Sequence, residues 1–386
     1  MIEAMGQLLL RIVSLILVMG LVVTIHELGH YLAGRMFGTA ADSFAFGFGP
    51  SLFETKDKRG TRWRVNALPF GGFVSFTQKD ENGEFYDPRH KELVGLPLKE
   101  IPLHGRALVY AAGPIANFIL AILLFAGIVL ANGQAVHAVS IGQVYEGPAQ
   151  QAGFQTGDII KTVNGVSVQS EAMLIEKISL STGDNLSVAI DRGGEALTLT
   201  VTPERRDIER LGQVMSVGAI GVGLTRATVE TVRHNPVSAL LYGVNETGAK
   251  VNQTINVLGR IITGKESINL LSGPVAIADA SGRVVDATMA IETIPLMERV
   301  LAVFWFYISF CAIVSIGVGF INLLPLPVLD GGHLAMCAYE AITGSEVPAQ
   351  VQGAVIMGGF ALIIGLFVVI TGGDIVETGI LSSQGG

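Results

Sequence analysis

Five consecutive residues, His26, Glu27, Leu28, Gly29 and His30, carry the densest chemistry in the 386-residue sequence. On a helix, positions i and i+4 share a face, so His26 and His30 can offer imidazole nitrogens to one metal ion. Glu27 then stands beside them, within reach of a water that such an ion would activate. This is an arrangement for metal-assisted hydrolysis. Two histidines leave the set short, because a hydrolytic zinc usually takes three protein ligands and keeps one position for water. The missing ligand is expected in the run NLLPLPVLDGGH at 322 to 333. There Asp330 is a carboxylate in an uncharged stretch, preceded by helix-breaking prolines and followed by two glycines that permit close backbone turns. His333 is the second-ranked ligand.

The elements that must position these groups are apolar. Half of the residues are hydrophobic and 15% are charged, with mean hydropathy +0.53, more than a soluble chain of this size needs to fill its cores. A net charge of -8 provides no broad basic surface, which excludes nucleic acid as a partner. Cys311 and Cys337 have neither metal-ligand nor redox spacing. Four stretches approach the length that crosses a bilayer: 12 to 25, 107 to 131, 300 to 324 and, just sufficient, 354 to 370. Ionisable residues at the end of such a stretch are costly and usually mark function. Lysines and arginines cluster between Arg35 and Arg106, including Lys56, Lys58, Arg59, Arg62 and Arg64. That segment is therefore expected on the cytoplasmic side, with 132 to 299 and both termini opposite. His26 to His30 close the first span and Asp330 follows the third, so both arrive at one depth on the cytoplasmic side.

Between Val139 and Pro203, short apolar alternations separated by Gly, Asn and Asp predict a small β-rich domain with one helix near 170 to 180. Asn164-Gly165 is a hairpin turn signal. The string AGFQTGDIIKTVNGVSV resembles PDZ domains attached to bacterial membrane proteases, domains that receive an extended peptide as an added strand. The expected division is 1–131 with two spans and a membrane-associated β-loop, 136–204 as the PDZ domain, 205–299 as a helical linker on the membrane surface, and 300–386 with two spans. His90, His104, His137 and His234 fall in expected loops and stay outside the site. The C-terminal TGILSSQGG reads as a flexible tail.

The combination of HELGH at 26 to 30, AGPIANF at 112 to 118, NLLPLPVLDGGH at 322 to 333 and a PDZ module resembles the site-2 family of intramembrane zinc metalloproteases, in the bacterial group of the regulator-of-sigma-E protease. The resemblance implies a polytopic α-helical membrane protein of about four spans with an inserted PDZ domain and a re-entrant β-element. It implies Zn2+ held by His26, His30 and Asp330, with Glu27 as general base and acid, and Asn322 bonding the substrate backbone. Gly71, Gly72 and Phe73 match a β-element that pairs with unwound substrate. Implied partners are single-span membrane proteins, such as an anti-sigma factor or remnant signal peptides, together with the lipid bilayer and a peptide or substrate terminus at the PDZ domain. The implied location is the bacterial inner membrane, with the PDZ domain periplasmic. One PDZ domain is expected where the best-known member has two. The AGPIAN element is expected to serve close helix packing through Ala111, Ala112, Gly113 and Ala116. A non-cleaving PDZ-containing receptor or chaperone is the alternative, which an intact Glu27 disfavours.

Overall fold

The computed structural model describes residues 2–78, 85, 93–168, 171–179, 181–210, 213–263 and 274–377. The chain divides into two compact units, one of residues 1–130 with 235–386 and one of residues 131–234.

In the first unit, helix α1 (Ile2–Met36) leads into two long strands, β1 (Ala41–Lys56) and β2 (Arg62–Phe76). Helix α2 (Leu103–Asn132) follows. Three helical stretches among the described residues are long and apolar enough to cross a membrane: Ile16–Met36, Leu103–Asn132 and Leu296–Asn322. The first does not stop at His26 to His30. Leu28, Tyr31, Leu32 and Ala33 continue its apolar pattern to Met36, and Gly38 with φ 76° ends it. The HELGH residues therefore lie within the helix, about two to three turns before its end.

β1 and β2 are bent, so that residues 43–46 run beside 72–75 on one side and 62–65 on the other. Gly71 at φ 81° makes the bend in β2, in a region that a side chain would strain. Gly72 lets the strands close, since a Cβ there would press on the Ala45 carbonyl oxygen at 2.5 Å. β2 lies along α1, with the Pro69 carbonyl against Gly20 and Phe76 against Gly34. Asp57, between the strands, accepts backbone N–H bonds from Arg59 at 2.8 Å and Thr61 at 3.0 Å, and side-chain bonds from Tyr31 and Arg35 of α1. The loop is thus tied to α1 directly after the HELGH run.

The second unit builds a sheet in the order β10-β3-β4-β6-β7, with β5 on β4. Its strands are β3 (Gln134–Val144), β4 (Ile159–Val163), β5 (Val166–Ser167), β6 (Leu186–Arg192), β7 (Glu195–Val201) and β10 (Val222–Val232). A separate hairpin joins β8 (Glu204–Arg210) to β9 (Gln213–Ala219), and two helices, α3 (Pro148–Gln151) and α4 (Glu171–Ser179), complete it. Ile141, Ile160, Leu174, Leu186 and Ile190 are fully buried at its centre. Asn164 and Gly165, at φ 52° and 77°, form the expected hairpin turn between β4 and β5. The expected boundary at 204 is corrected to 234. β10 pairs with β3 from Val222 beside Val144 to Val232 beside Gln134, with register shifts at Gly223/Leu224 and Thr228/Glu230.

Buried Asp158 receives two hydrogen bonds from Arg192, at 2.7 and 2.8 Å, and one from the Gln155 N–H at 2.8 Å. Burial alone would push this carboxyl up, but those bonds and the guanidinium charge outweigh it and hold it below the ordinary carboxylate value. A carboxyl depressed on folding stabilises above its unfolded pKa, about 4, and loses that contribution as pH falls through the folded value. The full chain is therefore expected to become protease-sensitive within 131–234 as pH drops below about 4. Asp158→Asn should bring the same sensitivity at neutral pH, read by limited proteolysis.

Back in the first unit, helix α5 (Pro236–Ile262) starts at a reciprocal cap in which Asn235 and Ser238 bond each other's backbone N–H. Ala239, Gly243 and Thr247 are buried at i, i+4 and i+8, a strip of small residues that lets backbones approach. Gly243 backs onto the Ile122 carbonyl of α2. Tyr242 and Val251 join Ala121, Phe125, Ala312 and Ile316 in one cluster. Then come α6 (Pro274–Met289), α7 (Leu296–Asn322), α8 (Asp330–Thr343) and α9 (Ala349–Glu377). α9 contains the fourth predicted stretch. The tail at 378–386 and the start of INLLSGPVAIADA, at 268–273, lie outside the described residues.

Candidate metal centre

Three donor atoms converge from α1 and from the start of α8. His26 Nε2 lies 3.0 Å from Asp330 Oδ2, His30 Nε2 lies 3.1 Å from His26 Nε2, and His30 Nε2 lies 3.3 Å from Asp330 Oδ2. His26, His30 and Asp330 form the metal-competent group among the described residues. Zinc bonds of about 2.0–2.1 Å in a tetrahedron place neighbouring donors about 3.3 Å apart, so the three fit one four-coordinate ion with a position to spare.

The local sequence explains each arm. The two histidines follow helical spacing on α1. Asp330 opens α8 after prolines 325 and 327 break α7, and the glycines behind it seat α8 closely on the turn. A Cβ at Gly331 would collide with the Leu323 and Leu324 carbonyls, and one at Gly332 would meet Pro327 Cα at 2.6 Å. Helix α2 supplies the floor. Gly29 packs on it so closely that a Cβ would lie 2.8 Å from that of Ala116. A Cβ at Gly113 would sit 2.7 Å from His30 Cε1 and 2.8 Å from His26 Cε1, and nearer still to His30 Nε2. The AGPIAN element does serve packing, and at Gly113 the packed partners are the histidines themselves.

The outer nitrogens are also held. His30 Nδ1–H donates to the Val109 carbonyl at 2.6 Å, which leaves Nε2 bare for a metal. His26 Nδ1 lies 3.2 Å from Nδ2 of the fully buried Asn117 amide, whose Oδ1 has no partner among the described residues. A bare Nε2 on His26 requires a protonated Nδ1, and the amide satisfies it by turning Oδ1 toward that N–H. Ser315 fixes this stretch of α2 by donating to the Asn117 carbonyl at 2.8 Å. Sequence reasoning placed Asn117 only at the end of a packing element. The signal that could have found it is a buried amide three residues after a helix proline, level with the ligands. Asn117→Ala is expected to weaken zinc affinity by about 10- to 100-fold, the usual cost of losing an outer-shell partner. Competition with a zinc chelator measures it.

Glu27 faces the other side. Its Oε2 accepts the Val74 N–H at 2.8 Å, and that N–H belongs to the strand stretch carrying Gly71, Gly72 and Phe73. Val74 pairs with Phe44, so the edge of 72–76 turned away from β1 faces Glu27. A cleft of about 310 Å3 contains His26, Glu27, His30, Asp330, Val74 and Asn322. Asn322 Nδ2 donates to the Val318 carbonyl at 3.0 Å, within its own helix, while the side chain still lines the cleft. His333 also lines the cleft but lies outside the converging donor set, stacked on Tyr110.

The chain is similar to known proteins along nearly its whole length. The model of peptidase family M50 matches residues 14–366. Metalloprotease MmpA of Caulobacter vibrioides is 34% identical over 98% of both chains. Zinc metalloprotease RasP of Geobacillus kaustophilus is 29% identical over 96% of this chain and 99% of its own. Among solved structures, the PDZ domain of the SdrC-like protein of Listeria monocytogenes matches 22% of this chain and 86% of its own, at 21% identity and TM-score 0.19. With the family model spanning almost the whole sequence, the chain belongs to peptidase family M50, the site-2 group of metalloproteases.

Proposed function

We propose that this chain is an intramembrane zinc protease that hydrolyses single-span membrane proteins within or near their transmembrane segment. The observation that carries the reading is Glu27, set between the three-donor cluster and the outward edge of strand 72–76. His26, His30 and Asp330 hold the metal, and the name of the Geobacillus relative, zinc metalloprotease RasP, supports zinc as that metal. Bound there, zinc supplies Lewis-acid polarisation of the scissile carbonyl and acidifies the attacking water. Glu27 takes the proton from that water and returns it to the leaving nitrogen. The Val74 N–H holds one carboxylate oxygen and leaves the other free for this traffic.

A helical substrate shields its peptide bonds, so it must unwind before cleavage and find new partners for its backbone. The edge of 72–76, with Gly71, Gly72 and Phe73, provides them as an added strand. Asn322 supplies a further amide to the substrate backbone. Because β2 lies along α1 from Gly20 to Gly34, this element re-enters the membrane beside the first span. The protein sits in the bacterial inner membrane with α9 as its fourth span. The site faces the cytoplasmic side, and the 131–234 unit acts as a periplasmic PDZ domain that takes a peptide or substrate terminus. An anti-sigma factor or remnant signal peptides fit as substrates. Purified protein in detergent should cut a tagged single-span protein lacking its outer domain, with product masses placing the break inside the apolar segment. A chelator should stop cleavage and added zinc restore it. Several such substrates left intact by zinc-loaded protein, with peptide still bound by the 131–234 unit, would favour a non-cleaving receptor.

A further inference from the structure

Amide hydrolysis needs a donor aimed at the carbonyl oxygen as negative charge grows there, and most polar groups in the cleft are already committed. Nδ1 of His30 bonds Val109, and that of His26 faces Asn117. Glu27 serves the proton transfer, and the Asn322 amide spends one N–H on Val318. His333 remains. It lines the cleft, is half-buried, and makes no hydrogen bond from either ring nitrogen among the described residues.

Its ring is not free to swing. It stacks face to face on Tyr110 of α2, with centroids 4.7 Å apart and planes within 11°. A face-to-face stack occupies the π surface and leaves the ring edge, where both nitrogens lie, for a ligand. The helix beneath is fixed as well. α8 is seated through Gly331 and Gly332, and Arg106 at the start of α2 pairs with Glu340 of α8. His333 is three residues beyond Asp330, so it shares a helical face with that proposed ligand.

We propose that His333 is a catalytic residue of this site, donating a hydrogen bond from its neutral imidazole to the scissile carbonyl oxygen, and that Tyr110 is the positioning residue that holds the ring. This rests on the protease reading above. As water adds to the carbonyl carbon, a C–O bond forms and the carbonyl π pair moves onto the oxygen, which receives the His333 N–H bond. When that pair returns, the C–N bond breaks and the nitrogen leaves with the proton carried by Glu27. His333 keeps its own proton throughout.

The test compares wild type with His333→Phe, His333→Gln, Tyr110→Phe and Tyr110→Leu as full-length protein in detergent. His333→Phe keeps the stack and removes the donor. It should lower kcat by about 10²- to 10³-fold, with KM within about threefold and zinc still one per chain. His333→Gln, which restores an N–H, should recover about tenfold of that loss. Tyr110→Leu should lose kcat about tenfold, by loosening the ring, and Tyr110→Phe, which keeps the stack, should lose less. A phosphinate peptide mimicking the tetrahedral adduct should lose its affinity advantage over the matching amide by the same factor as kcat in His333→Phe. The proposal is overturned if His333→Phe keeps kcat within threefold, or if its deficit is loss of zinc, which would make His333 a ligand. A wild type that cleaves nothing would count against the protease reading alone. The phosphinate-to-amide affinity ratio would still decide the role of His333, an unchanged ratio overturning it.

Discussion

Glu27→Gln will stop hydrolysis while leaving zinc in place. Glutamine matches the volume of glutamate and keeps an oxygen to accept the Val74 N–H, found at 2.8 Å from Oε2. The strand edge at 72–76 therefore stays where it is. What disappears is proton transfer, because a neutral amide cannot take a proton from water near pH 7. Losing a positioned general base costs typically about 10²- to 10⁴-fold in rate. Zinc content and melting temperature should match wild type, since the proposed ligands His26, His30 and Asp330 are untouched. Cleavage rates beside metal analysis on the same preparation measure this. A Glu27→Gln protein that cuts as fast as wild type would remove Glu27 from the chemistry.

Gly113→Ala should empty the site without touching a ligand. The added Cβ would fall 2.7 Å from His30 Cε1 and 2.8 Å from His26 Cε1, well inside van der Waals contact. Both rings are anchored from behind, by Val109 and Asn117, and Gly29 holds α1 tight on α2. They cannot retreat together, so the donor atoms must separate. Zinc occupancy is expected to fall below about a tenth of wild type at equal chelator buffering, with activity falling in step, because misoriented ligands weaken binding by at least the 10–100-fold seen for lost outer-shell partners. Gly127→Ala is the control on the same helix. Nothing lies within 4 Å of a Cβ there, and alanine favours helix over glycine by about 0.8–1.0 kcal/mol. Equal zinc loss in both variants would show that the helix, and not the ligand contact, is at fault.

The convergence of the two donor arms was readable in the sequence because their logic is local. Helical spacing puts His26 and His30 on one face. Prolines 325 and 327 with the glycine pair announce an irregular turn that delivers Asp330. The hairpin at Asn164-Gly165 is equally local. The groups that needed the third dimension stayed hidden. Asn117 and Gly113 act across a helix interface, and each reads as ordinary span packing until α1 is laid against α2. Val74 touches Glu27 only because a bent two-stranded element folds back along α1. The neighbouring Gly71, Gly72 and Phe73 are proposed as a substrate-pairing edge on resemblance, not on pattern. The length of α1 was misjudged because charged residues look like a helix end, although the apolar face runs on to Met36. The strand character of 222–232 was missed because its partner β3 lies about 90 residues away by number. α5 reads as amphipathic, and only its strip of Ala239, Gly243 and Thr247 reveals a helix packed against others.

Two arms separated by 304 residues should close on one zinc ion. X-ray absorption at the zinc edge of the purified, zinc-loaded Glu27→Gln protein reads this out. A single site with two imidazole nitrogens and oxygen donors at about 2.0–2.2 Å and no sulfur is expected, losing one imidazole in His26→Ala and one carboxylate oxygen in Asp330→Ala. A sulfur shell at about 2.3 Å, or a spectrum unchanged by either substitution, would place the metal elsewhere and contradict it.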